Sequence, residues 1–204
     1  MQALISIIYT ICGILYTALA GKGRVICYTF GIIATCCYSY LTYKNQVYGN
    51  FLLNMGYYLP MQIIGIFAWN RNLKKDKKEI IKTKLSKKER IILCGITIKL
   101  CIIMVAFLKY SNDMTPILDG ITTILSVLGM YLTVKRCIEQ WLIWIIVNSL
   151  TIMMWLKVSI NNTATYPTVL VWCIYLAMGV YFYFKWKKEL SDINTRQTNL
   201  EPAS

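Results

Sequence analysis

Histidine does not occur in this 204-residue sequence. Its absence removes the commonest general base, the Ser-His-Asp and Cys-His nucleophile arrangements, and every zinc site built on imidazole. Acidic residues are few, nine Asp and Glu against 22 Lys and Arg. The eight cysteines, at 12, 27, 36, 37, 94, 101, 137 and 173, include no CxxC pair, so a thiolate metal site or a thioredoxin-type redox motif is not encoded. Most of them lie in apolar runs, where cysteine behaves as a small apolar side chain. No cofactor and no metal is expected, and without a paired acid and base the chain does not read as an enzyme.

Charge is also missing from long stretches. Hydrophobic residues make up 57% of the chain and gather into seven runs, at 5–20, 25–43, 51–69, 91–108, 116–134, 141–156 and 167–184. Five of these carry no charge, the fourth holds Lys99 and the fifth Asp119. Runs of this length match a hydrocarbon layer roughly 30 Å thick at about 1.5 Å rise per residue. The expected fold is therefore an all-α polytopic membrane protein with seven transmembrane helices. The first run lacks a basic leader and a small-residue cleavage pattern, so it is expected to remain as a helix.

What is abundant is positive charge, and its placement is informative. With the N-terminus outside, eighteen Lys and Arg fall in cytoplasmic segments against three, Lys44, Lys109 and Lys157, outside. The positive-inside rule then sets N-out, C-in. The basic run at 71–90 reads as a cytoplasmic loop able to attract anionic membrane lipid and not as a nucleic-acid site. Residues 189–204 are polar and aperiodic, which predicts a disordered cytoplasmic tail.

The loop divides the helices. A first triplet (1–70), the basic loop (71–90), a linker helix (91–109) and a second triplet (116–185) give a transmembrane domain over 1–188. Because the single linker helix inverts the direction, both triplets start from the same side. That is the three-plus-one-plus-three arithmetic of a parallel repeat with a substrate site near the midplane. Aromatic residues followed by Lys and Arg close both triplets, in "FAWNRNLKK" and "FYFKWKKEL". An aromatic belt at the membrane interface accounts for these endings without any repeat.

Polar residues inside the runs form stripes. At about 100° per residue, Trp141, Trp144, Asn148, Thr151 and Trp155 fall within roughly 80° on the sixth run. On the third run Asn50, Asn54, Tyr58 and Gln62 recur every four residues, and on the fifth Asp119, Thr122, Thr123 and Ser126 share a face. A carboxamide in hydrocarbon must find partners. Either the stripes turn together around a wet cavity or each amide bonds a neighbouring helix. Indoles beside an amide favour the cavity, and suit a flat aromatic cation through stacking and cation–π attraction. The stripes contain no Lys or Arg to neutralise a phosphate dianion. Lys99 and Asp119 either pair, or Lys99 snorkels to the interface, or Asp119 attracts a cation at the outer mouth.

The motif Trp141-x2-Trp144-x3-Asn148 in "EQWLIWIIVN", the "GIFAWNRN" exit of the third run and the helix count resemble the PnuC-type nicotinamide riboside transporters over nearly the whole membrane part. The third-run exit departs from the more Tyr- and Trp-rich form expected in that family. The resemblance implies a SWEET-like seven-helix fold, a homotrimer in a bacterial plasma membrane, and Trp141, Trp144 and Asn148 around nicotinamide riboside. It also implies facilitated diffusion, with a cytoplasmic nicotinamide riboside kinase trapping the product. Combined with the stripes, it completes the expected wall with Asn54, Tyr58, Gln62, Thr122 and Ser126. Thiamine or riboflavin transport, or a non-transporting accessory role in which the amides only join helices, are the competing readings.

Overall fold

The computed structural model describes residues 2–44, 48–76, 78–110, 116–161 and 166–200. In chain order these form α1 (Gln2–Gly21), α2 (Cys27–Lys44), α3 (Tyr48–Leu53), a π-helical turn (Asn54–Tyr58), α4 (Leu59–Asn70), α5 (Lys87–Tyr110), α6 (Pro116–Val134), α7 (Glu139–Asn161) and α8 (Tyr166–Leu200). Helix stands at each of the seven expected spans, with α3, the π turn and α4 together making the third. The chain is an all-α polytopic membrane protein. Among the described residues, six helical stretches are long and apolar enough to cross a membrane. The helix α2 is not among them, because its four tyrosines and the hydroxyls of Thr29, Thr35, Ser39 and Thr42 lower its mean hydropathy.

The π turn has an identifiable cause. Pro60, in the first turn of α4, lacks an N–H and its ring crowds the carbonyl four residues back. The ladder relaxes into a wider turn in which the Leu59 N–H reaches the Asn54 carbonyl, five residues away. Such turns inside helices cluster at functional positions.

The tail expectation is corrected. The helix α8 runs on to Leu200, well past the point where the polar segment begins. A helix already nucleated by an apolar span adds residues without a new nucleation step, and no Gly or Pro interrupts 189–200. Residues 201–204 lie outside the described residues.

The chain divides into two compact units. The first comprises Met1–Ile81 with Thr133–Arg136, the second Lys82–Leu132 with Cys137–Ser204. The linker helix α5 thus belongs with the second unit, and none of its residues is buried. In the first unit α1 packs along α2, and α2 meets α3, the π turn and α4. Tyr28 and Trp69 are fully buried at its centre, with rings edge-on at 5.0 Å. The Trp69 indole N–H donates to the Thr133 carbonyl at 2.9 Å. In the second unit α7 packs along α8, and Leu85, Leu132 and Cys137 form a buried cluster with Leu93, Leu128, Tyr131 and Ile143 against it.

Two turns repeat one design. After α1, the Gly23 N–H donates to Ala20 at 2.9 Å and that of Arg24 to Leu19 at 3.0 Å; after α6, Arg136 donates to Thr133 and Cys137 to Leu132, both at 3.0 Å. These are Schellman caps, which need a left-handed residue. Gly23 supplies it at φ 71°, and Arg136 adopts it at φ 62°.

Candidate binding site

The first unit holds the stripe of the third span. The wider π turn offsets the angular drift of a four-residue spacing, so Asn54 and Gln62 are both buried and Tyr58 half-buried, while Asn50 is exposed. Asn54 donates through Nδ2 to the Asn50 carbonyl at 2.8 Å. Gln62 donates through Nε2 to Thr35 Oγ1 on α2 at 2.6 Å, and its Oε1 is buried with no partner among the described residues. Gly31 makes room for that amide: a Cβ at Gly31 would lie 2.6 Å from Gln62 Oε1 and 2.8 Å from Tyr16 Cδ2. Sequence reasoning picked out Gln62 but missed Thr35, whose hydroxyl gave no signal of its own in a Thr- and Tyr-rich helix.

The second unit holds the stripes of the fifth and sixth spans. Trp141 is buried at the start of α7 against Phe182 and Trp186 of α8, at ring distances of 5.3 and 5.7 Å. Its indole N–H has no hydrogen-bond partner among the described residues. Trp144 is half-buried, with its indole over Gly129 of α6, where a Cβ would come within 3.0 Å of the ring. One turn deeper, Asn148 is 4% exposed. The Thr151 hydroxyl is taken up by the Val147 carbonyl at 2.8 Å and that of Thr122 by Leu118 at 2.8 Å, whereas Ser126 is half-buried on the same helix as Thr122. The second unit therefore brings Trp141, Trp144 and Asn148 onto one face, with an amide held away from solvent beside two indoles. Such a face can stack a flat ring and both donate to and accept from a carboxamide.

Lys99 lies on the exposed surface of α5 and makes no ion pair with Asp119, so the pairing considered from the sequence does not form. The aromatic-belt expectation for the triplet endings is corrected for Trp69 and Trp186, while Phe67 and Phe184 are exposed. Trp69 and Trp186 are fully buried because each is the packing partner of an aromatic residue at the start of a neighbouring helix. The Lys82 ammonium covers Trp186, 4.9 Å from its ring centroid, and pairs with Glu189.

The chain is a polytopic membrane protein with two indoles and a buried carboxamide along one helix face. The family described as "Nicotinamide mononucleotide transporter" matches residues 3–188, and the chain belongs to it. Its members are transporters and not enzymes. The nicotinamide riboside transporter PnuC of Neisseria mucosa is 32% identical over 181 residues, covering 86% of this chain and 69% of that protein. The protein of the same name from Haemophilus influenzae is 31% identical over 192 residues, covering 93% of this chain and 82% of the relative. The structure described as "Crystal structure of the Vitamin B3 transporter PnuC" superposes with a TM-score of 0.77 at 29% identity, over 91% of this chain and 81% of that one.

Proposed function

We propose that this chain takes up nicotinamide riboside across a bacterial plasma membrane by facilitated diffusion. The observation that carries the reading is the Trp144–Asn148 pair on α7, an indole one turn from a buried amide, in a chain whose relatives are named for that substrate. The pyridinium ring packs on the indoles of Trp141 and Trp144, Asn148 meets the carboxamide or the ribose, and Thr122 and Ser126 of the same unit supply further polar wall. The family's description names the mononucleotide, but the stripes offer no cation for its phosphate, which favours the riboside.

The loop charges support an N-out, C-in orientation. A monovalent cation moving inward gains about 2.3 kcal/mol per 100 mV of inside-negative potential, so a uniporter can accumulate it without a coupling ion. Phosphorylation by a cytoplasmic nicotinamide riboside kinase then prevents its return. A homotrimer belongs to the same reading, and the wholly unburied α5 offers a surface for it to cover.

Calorimetric titration of purified protein with nicotinamide riboside, its mononucleotide, thiamine and riboflavin tests the substrate, with Trp144→Ala as control. Binding of the riboside alone, lost in the variant, is the expected result. Binding of thiamine or riboflavin instead reassigns the substrate, and no binding by any of the four returns the amides to helix joining. Uptake that stops when pH and sodium gradients are collapsed at fixed voltage would overturn the uniport mechanism.

A further inference from the structure

The two units differ at one position in a way that bears on how the binding face stays open. The shift in numbering that carries Gly23 onto Arg136 also carries their capping hydrogen bonds onto each other. It carries Tyr28 onto Trp141, and their N–H groups donate to Val25 and Ile138, both at 3.1 Å. The same shift carries Tyr16 onto Gly129, Gly31 onto Trp144 and Thr35 onto Asn148. For the closing helices, the shift that carries Phe67 and Trp69 onto Phe184 and Trp186 carries Gly65 onto Phe182 and Gln62 onto Gly179. Ring packing supports this second register. Tyr28 meets Trp69 edge-on and lies against Gly65, while Trp141 meets Trp186 edge-on and lies against Phe182.

Under this correspondence the first unit carries its own amide at this place. The primary carboxamide of Gln62 donates to Thr35 at 2.6 Å and lies next to Gly31 and the Tyr16 ring. In the second unit threonine has become Asn148, glutamine has become Gly179, and ring and glycine have exchanged helices, Trp144 over Gly129 in place of Tyr16 over Gly31. Asn148 is buried, only 4% exposed. Backbone is not what closes this place: a Cβ at Gly179 would meet only Ile145 Cγ1, at 3.3 Å.

We propose that Gly179 is a specificity-determining residue of the riboside site. By lacking a side chain it leaves beside Trp144 and Asn148 the volume that the Gln62 amide fills in the first unit, and the primary carboxamide of the ligand occupies it. The first unit then displays, in covalent form, the group that the second unit recruits from solution. This inference rests on the riboside reading above.

The test is calorimetric binding of nicotinamide riboside to Gly179→Gln and Gly179→Ala, with the melting temperature of each ligand-free protein recorded. Gly179→Gln is expected to lose at least tenfold in affinity while melting no lower than the parent, since the new amide bonds Asn148; Gly179→Ala is expected to lose less. A folded Gly179→Gln protein that binds within twofold of the parent overturns the proposal. Titration of the parent protein with nicotinic acid riboside, which replaces the carboxamide by a carboxylate, decides the matter even if that variant does not fold. At least tenfold weaker binding is expected, and equal binding overturns the inference. Should the parent bind no riboside at all, it is the functional reading that fails.

Discussion

Trp186 stands edge-on to Trp141, ring centroids 5.7 Å apart and planes at 79°, and Tyr28 stands to Trp69 at 5.0 Å and the same angle. Each unit thus holds its last helix against the start of a neighbouring one with two buried rings. Trp69 adds a hydrogen bond, to the Thr133 carbonyl. Trp69→Phe keeps most of the ring area but removes the indole donor, while the carbonyl still accepts from the Arg136 N–H, a loss of about 0.5–1.5 kcal/mol. Thermal unfolding in detergent should register it as a lower melting temperature, and an unchanged one would mean that the hydrogen bond contributes nothing.

The ion pair between Lys82 and Glu189 of α8 is asymmetric in burial, with side chains 2% and 28% exposed. Removing one partner leaves the other charge in place, and this is worse for the more buried one. Glu189→Gln should destabilise by about 3 kcal/mol, and Lys82→Met by clearly less, since its aliphatic stem still covers Trp186. Equal melting temperatures for the two variants would contradict the burial argument.

Gly65 is occupied space: the Tyr28 phenol lies where its Cβ would be. The nearest ring atoms belong to a side chain wedged against Trp69 and unable to swing away. Gly65→Ala should cost about 1–3 kcal/mol by overpacking, and the double change with Tyr28→Phe should recover little, because the ring and not only its hydroxyl is in the way. Recovery to parental stability would show that the hydroxyl alone causes the clash.

Gln62 and Asn148 should answer differently to truncation. Gln62→Ala removes the donor to buried Thr35 and should lower the melting temperature. Asn148→Ala removes a buried amide on the binding face, so it should weaken riboside binding at least tenfold, about 1.4 kcal/mol, while costing less stability than Gln62→Ala. If Asn148→Ala unfolds the protein and leaves affinity intact in the folded fraction, the residue joins helices and does not hold a ligand.

Helices were legible in the sequence wherever apolar length decided them, because lipid leaves a spanning segment no alternative to satisfying its own backbone. The π turn was not, since it arises from Pro60 acting on the residues before it, and period-counting assumes one constant turn. The Trp144–Asn148 face could be read from spacing alone. Thr35 could not, because a hydroxyl in a helix is silent until the amide across from it is seen. Burial of Trp69 and Trp186 escaped for a similar reason: an aromatic residue before a basic cluster looks interfacial until its ring partner is placed. Loop residues such as Lys82, one cation in a basic run, became distinguishable only through their partners at a distance in sequence.

The basic loop is unevenly held. Lys74 and Glu79 pair at 2.9 Å across a short hairpin whose tip, at Lys75 and Asp76, is exposed. From Ile80 on, the strand is stitched down: the Ile80 N–H donates to Gly23, Thr83 accepts from Ile138, and the Leu85 N–H donates to Glu139. A reporter domain spliced between Lys75 and Asp76 should therefore be carried as a passenger. The same splice after Thr83 would pull on the contacts to Gly23, Ile138 and Glu139 at once, which marks out where this transporter could be built into an optical sensor for its cargo.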